Sequence, residues 1–252
     1  MNRIDLSGKV AAITGASRGL GKAMALSLAE AGAGLALISR DARKLAETAE
    51  AARKLGAAAA TFQADVSQEE QVLRIEKEVL AKFGKIQILI NNAGINIRKP
   101  LIDFTLAEWN QVLATNLTGA FLMCRAFVPG MKGQGFGRII NLTSIMSHVA
   151  LAGRSAYAAS KAGLLGLTRA LALELAPEKI TVNAISPGPV ATELNTPLLQ
   201  DPVINRQFVE RIPVGRWGKE EEIAQLAVYL CSEATGFMTG TDIVIDGGWC
   251  AQ

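Results

Sequence analysis

Short, nearly unbroken apolar runs alternate along this chain with longer stretches whose apolar positions recur every three or four residues. A short apolar run bounded by turn residues fits a strand buried on both faces, and the longer period fits a helix packed over it. Strands are expected at Val10–Thr14, Leu35–Ser39, Ala59–Gln63, Ile88–Asn91, Arg138–Thr143, Thr181–Ser186 and Asp242–Asp246. Helices are expected at Gly19–Glu30, Asp41–Leu55, Gln68–Phe83, Leu106–Met131, Tyr157–Leu175 and Glu220–Cys231. This βαβα alternation predicts an α/β fold: a doubly wound parallel sheet of seven strands, helices on both faces, right-handed crossovers, in a single domain over 1–252. The segment Pro187–Arg216 breaks the rhythm with prolines at 187, 189, 197, 202 and 213. A long irregular insert after a strand is expected to act as a lid.

Composition narrows the class. Half of the 252 residues are hydrophobic and 19% are charged, which is too apolar for disorder and enough to bury a large core. The net charge is +3, from 26 basic and 23 acidic residues without Lys/Arg blocks, which argues against nucleic acid or an anionic membrane as partner. Cys124, Cys231 and Cys250 are odd in number and scattered, against a disulfide framework or a cysteine zinc site and in keeping with a reducing compartment. Residues 1 to 8 carry charges and no apolar stretch, so no signal peptide is expected, and no apolar run reads as membrane-spanning. The carboxylates show no ligand spacing, so no metal site is expected. A soluble cytoplasmic protein with a small-molecule substrate is the expectation.

The first chemical signal lies in Thr14-Gly15-Ala16-Ser17-Arg18-Gly19-Leu20-Gly21, between the first strand and first helix. Gly15 permits a tight turn, Gly19 lets backbone approach a pyrophosphate, Gly21 lets helix pack on strand, and the helix N-terminus offers N–H groups to the anion. This points to a Rossmann-type dinucleotide site. The end of the second strand selects the dinucleotide, because an acidic residue there would grip the ribose 2′-hydroxyl of NAD and repel the phosphate of NADP. Here Ser39 and Arg40 stand instead, and Arg40 with Arg18 can pair a phosphate, favouring NADP(H) over NAD(H). Asp41 is the rival ribose ligand, although its place suits a helix N-cap.

The second signal is Tyr157-Ala158-Ala159-Ser160-Lys161, whose i, i+4 spacing puts phenol and ammonium on one helix face. A cation beside a phenol favours phenolate, so Lys161 is expected to lower the Tyr157 pKa. Ser144, at the end of the fifth strand, can donate to a substrate oxygen. Taken alone, such a Tyr–Lys pair is more often an ordinary surface pair.

Together with Asn91-Asn92-Ala93-Gly94, Asn116, and Pro187-Gly188-Pro189-Val190-Ala191-Thr192, these motifs resemble the short-chain dehydrogenase/reductases over essentially the whole chain. The resemblance implies that Tyr157 is the general acid/base, that Ser144 orients the carbonyl and that Lys161 holds the ribose. It also implies that Asn116 anchors a water for proton relay. By the same resemblance Asp65 and Val66 contact the adenine, Asn92, Ala93 and Gly94 line the cofactor trough, and Pro187, Gly188, Val190 and Thr192 face the nicotinamide. A homotetramer joined through the Tyr157–Leu175 helix and its predecessor is also implied.

Within that family, Asn91–Pro100, Arg216-Trp217-Gly218 and Asp246-Gly247-Gly248-Trp249 resemble gluconate 5-dehydrogenases and deoxygluconate dehydrogenases. The alternatives are a 3-oxoacyl carrier-protein reductase, a broad ketone reductase and, from another class, an NADP-binding regulator without turnover. Arg98 leaves the carboxyl edge of the sheet and is the candidate for a substrate carboxylate, with Lys99 as its rival. His148, the only histidine, is a further candidate for the substrate side, though a bystander role suits it better because Tyr157 already fills the acid/base post. Trp217 is placed to brace the lid.

Overall fold

The computed structural model describes residues 4–252; the first three residues, part of the stretch read as lacking a leader, lie outside them. Seven strands form one parallel sheet: β1 (Val10–Thr14), β2 (Gly34–Ser39), β3 (Ala59–Gln63), β4 (Ile88–Asn91), β5 (Gly137–Leu142), β6 (Ile180–Pro187) and β7 (Asp242–Ile245). Their spatial order is β3-β2-β1-β4-β5-β6-β7. The chain therefore moves outward from β1 to β3, then returns to lay β4 on the other side of β1. Loops leaving β1 and β4 diverge at that reversal, and open α/β sheets bind ligands in the resulting crevice.

Helices α1 (Gly19–Glu30), α2 (Ala42–Lys54) and α9 (Glu220–Leu230) cover one face, while α3 (Glu69–Phe83), α5 (Gly119–Met131) and α6 (Ser155–Leu175) cover the other. Strand residues alternate between the two cores: Ala11 and Ile13 meet Met24 and Leu28, whereas Ala12 joins Val72 and Phe127 on the far side. Burial on both faces is why the inner strands β1, β2 and β4 read as apolar runs. Asp41 caps α2 by accepting from the Lys44 N–H at 3.0 Å, so its carboxylate is committed to the helix rather than to a ribose.

Two expectations need correction. The helix predicted over Leu106–Met131 is α4 (Leu106–Leu113) and α5 joined by a widened π turn, Ala114–Thr118. This 26-residue stretch is long and apolar enough to cross a membrane by length and composition, contrary to the sequence reading, yet half of its apolar 18-residue window is buried inside the protein. The insert 187–216 is also not irregular. It contains α7 (Thr196–Gln200) and α8 (Pro202–Glu210), and prolines 197 and 202 sit in the first turns, where a missing N–H removes no helix bond.

Candidate active site

One long cleft crosses the carboxyl ends of the strands and gathers the segments singled out above. At its floor Gly15 and Gly19 adopt positive φ of 65° and 54°, open to glycine at little cost. Gly21 has no room for a side chain: a Cβ there would lie 2.2 Å from the Gly15 carbonyl oxygen and 2.5 Å from Asn92 Nδ2. Asn92 Nδ2 donates to Thr14 O at 2.9 Å and pins the turn to the crevice between β1 and β4. Gly21→Ala should overpack this corner, costing ~1–3 kcal/mol. The expected result is a melting point lower by at least ~2 °C with weakened NADPH binding; unchanged melting and titration curves would show that the turn can yield.

Beyond the turn, Ser17 and Ser39 hydroxyls bond at 2.9 Å, with Arg18 and Arg40 lining the cleft beside them. Arg40 approaches Asp65 at 3.6 Å. Burial alone would raise the Asp65 pKa, but the Ser67 backbone and hydroxyl donors, with Arg40, hold it below the usual carboxylate value. Arg18 and Lys44 both reach Glu193, at 3.3 and 3.2 Å, so the insert already spans the cleft. These exposed pairs are weak, and a phosphate can replace the carboxylates at small cost. Positive-φ glycines, the α1 N-terminus and two arginines are the parts a phosphorylated dinucleotide requires, and the donor set fits one.

Tyr157 and Ser144 line the same cleft, with Val66, Ala93, Gly94, Pro187, Gly188, Val190 and Thr192. Ser144 caps the short turn after β5, accepting from the Met146 N–H at 3.2 Å. Lys161 Nζ donates to Leu142 O at 2.5 Å and lies 5.7 Å from the centre of the Tyr157 ring. Burial pushes Lys161 down to about 8. The expected lowering of the Tyr157 pKa does not follow: burial raises it, and what opposes burial is Ser144, then Arg154 and Arg98. Asn116 lies buried in the widened π turn. Its two amide protons go to Ile95 O and Ser160 Oγ, both at 3.0 Å, and Oδ1 accepts from the Ile95 N–H at 2.8 Å. Both side-chain donors thus tie the β4 loop to α6.

A family model described as enoyl-(acyl carrier protein) reductase matches residues 15–250. The 3-oxoacyl-[acyl-carrier-protein] reductase of Aquifex aeolicus is 37% identical over 97% of this chain and 98% of its own. The 2-dehydro-3-deoxy-D-gluconate 5-dehydrogenase of Dickeya dadantii is 38% identical over 100% and 99%. This chain is a short-chain dehydrogenase/reductase. A solved gluconate 5-dehydrogenase from Burkholderia cenocepacia, in complex with NADP and tartrate, superposes with a TM-score of 0.95 at 37% identity, covering 99% of this chain and 98% of that one. This chain is accordingly an oxidoreductase acting on CH–OH groups.

On the substrate side of this dehydrogenase/reductase, the two basic neighbours separate cleanly. Arg98 lines the cavity and donates to Asn195 Oδ1 at 2.9 Å, while Lys99 turns away to Glu108 at 2.6 Å. His148 does not line the cavity. Its Nε2 lies 2.5 Å from Asp242 Oδ2, and the same carboxylate accepts from Ser186 Oγ at 2.8 Å, behind Ser144. Its placement on the substrate side is therefore corrected. Trp217 does brace the insert, donating to Asn205 Oδ1 at 2.8 Å and stacking on Phe208 with centroids 5.0 Å apart. Sequence reasoning missed Arg154, Asn96 and Asn195 as lining residues. Arg154 alone left a signal, standing one helical turn before Tyr157.

Proposed function

We propose that this enzyme uses NADP(H) and a keto-sugar acid or its hydroxy form, in the manner of a gluconate 5-dehydrogenase. One observation carries the reading: the guanidinium residues Arg98 and Arg154 line one cavity with Tyr157, and neither has an ion-pair partner among the described residues. Burying unpaired cations beside the reacting group is costly unless the substrate brings the anion. NADP is favoured by Arg18 and Arg40 at the ribose end and by the NADP-bound Burkholderia relative.

The dinucleotide, when bound, supplies or accepts the hydride at nicotinamide C4. During reduction Tyr157 gives its phenolic proton to the carbonyl oxygen, and in oxidation it takes that proton back. Ser144 donates a hydrogen bond to the same oxygen, stabilising developing alkoxide charge. Lys161, on the same helix face, holds the ribose, and Asp65 with Val66 meets the adenine. A tetramer built on α5 and α6 is part of the proposal, supported by exposed Phe121 and Leu173 on those helices. A cytoplasmic site is supported by the three free thiols.

The apolar wall of Met146, Leu151, Phe208 and Trp249 supports a second reading, a 3-oxoacyl thioester reductase. NADPH oxidation with 5-ketogluconate, a 3-oxoacyl thioester and a neutral diketone, compared side by side, separates the two. Arg98→Ala should raise KM for the keto-sugar acid roughly tenfold or more, the effect of losing a charge-assisted hydrogen bond. Its effect on the neutral diketone should be much smaller. Equal losses on both substrates would indicate loop damage, and no loss on either would remove the sugar-acid reading.

A further inference from the structure

Arg154 sits at the N-cap of α6, fixed by the helix that carries Tyr157, whereas Arg98 arrives on the loop after β4. Two independent elements thus bring guanidiniums to one cavity wall. Both line the cavity with Tyr157; the Arg98 charge lowers the pKa of Arg154, and both charges favour the Tyr157 phenolate. Like charges gathered in a half-buried site repel, and neither is ion-paired among the described residues. Arg98 Nη2 donates to Asn195 Oδ1 at 2.9 Å and to Leu194 O at 3.5 Å, and its buried Nε has no acceptor. Its remaining donor capacity matches a planar carboxylate.

We infer that Arg98 and Arg154 form a two-armed clamp on the substrate carboxylate, with Arg154 as a specificity-determining residue. This deepens the sugar-acid reading and rests on it for the identity of the ligand. The rigid arm, Arg154, fixes the distance between carboxylate and Tyr157, since both lie on one turn of α6. The loop arm, Arg98, is held by Asn195 of the insert, so the clamp is complete only with the insert in place over the cleft. A neutral polyol of the same length would leave both cations unmatched.

The test is calorimetric binding of tartrate, and of uncharged threitol, to the enzyme–NADPH complex. Neither probe has a carbonyl to reduce. Wild-type protein should bind tartrate more tightly than threitol. Arg154→Ala should raise the tartrate Kd tenfold or more, with Arg154→Lys recovering part of the loss. The combined Arg98→Ala, Arg154→Ala change should cost less than the two losses added, because both arms hold one ligand. Retained NADPH binding by each variant certifies its fold, and Arg154→Gln replaces any variant that fails this control. A tartrate Kd within twofold of wild type in Arg154→Ala, or no wild-type preference over threitol, overturns the clamp. If the clamp holds and 5-ketogluconate is still not reduced, the sugar-acid reading fails and the clamp stands for another acidic substrate.

Discussion

Replacing Tyr157 by Phe is expected to lower turnover by at least ~10²-fold, the scale of a lost general acid/base, while leaving NADPH affinity nearly unchanged. The ring packs with Ile145, Met146, Ile212 and Trp249, and Phe preserves that packing. Only the hydroxyl beside Ser144 disappears. Stopped-flow measurement of hydride transfer, alongside NADPH titration of the same preparation, separates chemistry from folding. Near-normal turnover with a carbonyl substrate would refute the assignment of Tyr157. The raised Tyr157 pKa adds a pH dependence. A phenol held above its ordinary value is protonated at neutral pH, so reduction should stay level through neutrality. Oxidation, which needs the phenolate, should climb into the alkaline range. The charges bearing on this proton are those of Arg154 and Arg98. An oxidation rate that peaks on the acid side of neutrality would contradict that order.

The combined change Ser39→Asp and Arg40→Leu is expected to lower the NADPH:NADH ratio of kcat/KM by at least ~10²-fold. Removing the guanidinium forfeits a charge-assisted phosphate bond of ~1.5–3 kcal/mol, and the new carboxylate repels the 2′-phosphate while accepting from a free ribose hydroxyl. Ser39 now bonds Ser17 at 2.9 Å, so its side chain already points along the Gly-turn. Steady-state kinetics with both dinucleotides measure the ratio directly. An unchanged value would transfer phosphate selection to Arg18 and Lys44, which here share Glu193. A fall in NADPH use without any gain in NADH use would indicate that the loss of the Arg40–Asp65 contact had disturbed the adenine end.

The elements of the sheet were legible because their causes are local. Apolar runs at β1 and β4 end at the predicted residues, since burial on both faces leaves no polar position inside them. The Gly15-to-Gly21 turn was equally readable, because a positive φ and the space for a Cβ are properties of one residue and its immediate surroundings. Tyr157 and Lys161 share a face by helical spacing alone. What the sequence by itself could not determine depends on chain crossings. Arg98 faces the cavity and Lys99 does not because Glu108 claims the lysine and Asn195 the arginine, and nothing in the local pattern distinguishes them. His148 was drawn from the substrate side by Asp242, 94 residues away, and Arg18 found Glu193 at a separation of 175. The widened turn at Asn116 was hidden for a related reason: one extra residue in a helical turn barely alters an apolar pattern, while the bonds from Asn116 to Ile95 and Ser160 exist only after β4 and α6 have packed. Local propensity therefore set the scaffold and the cofactor turn. The substrate side, where side chains from the β4 loop, α6 and the insert converge, was decided by packing.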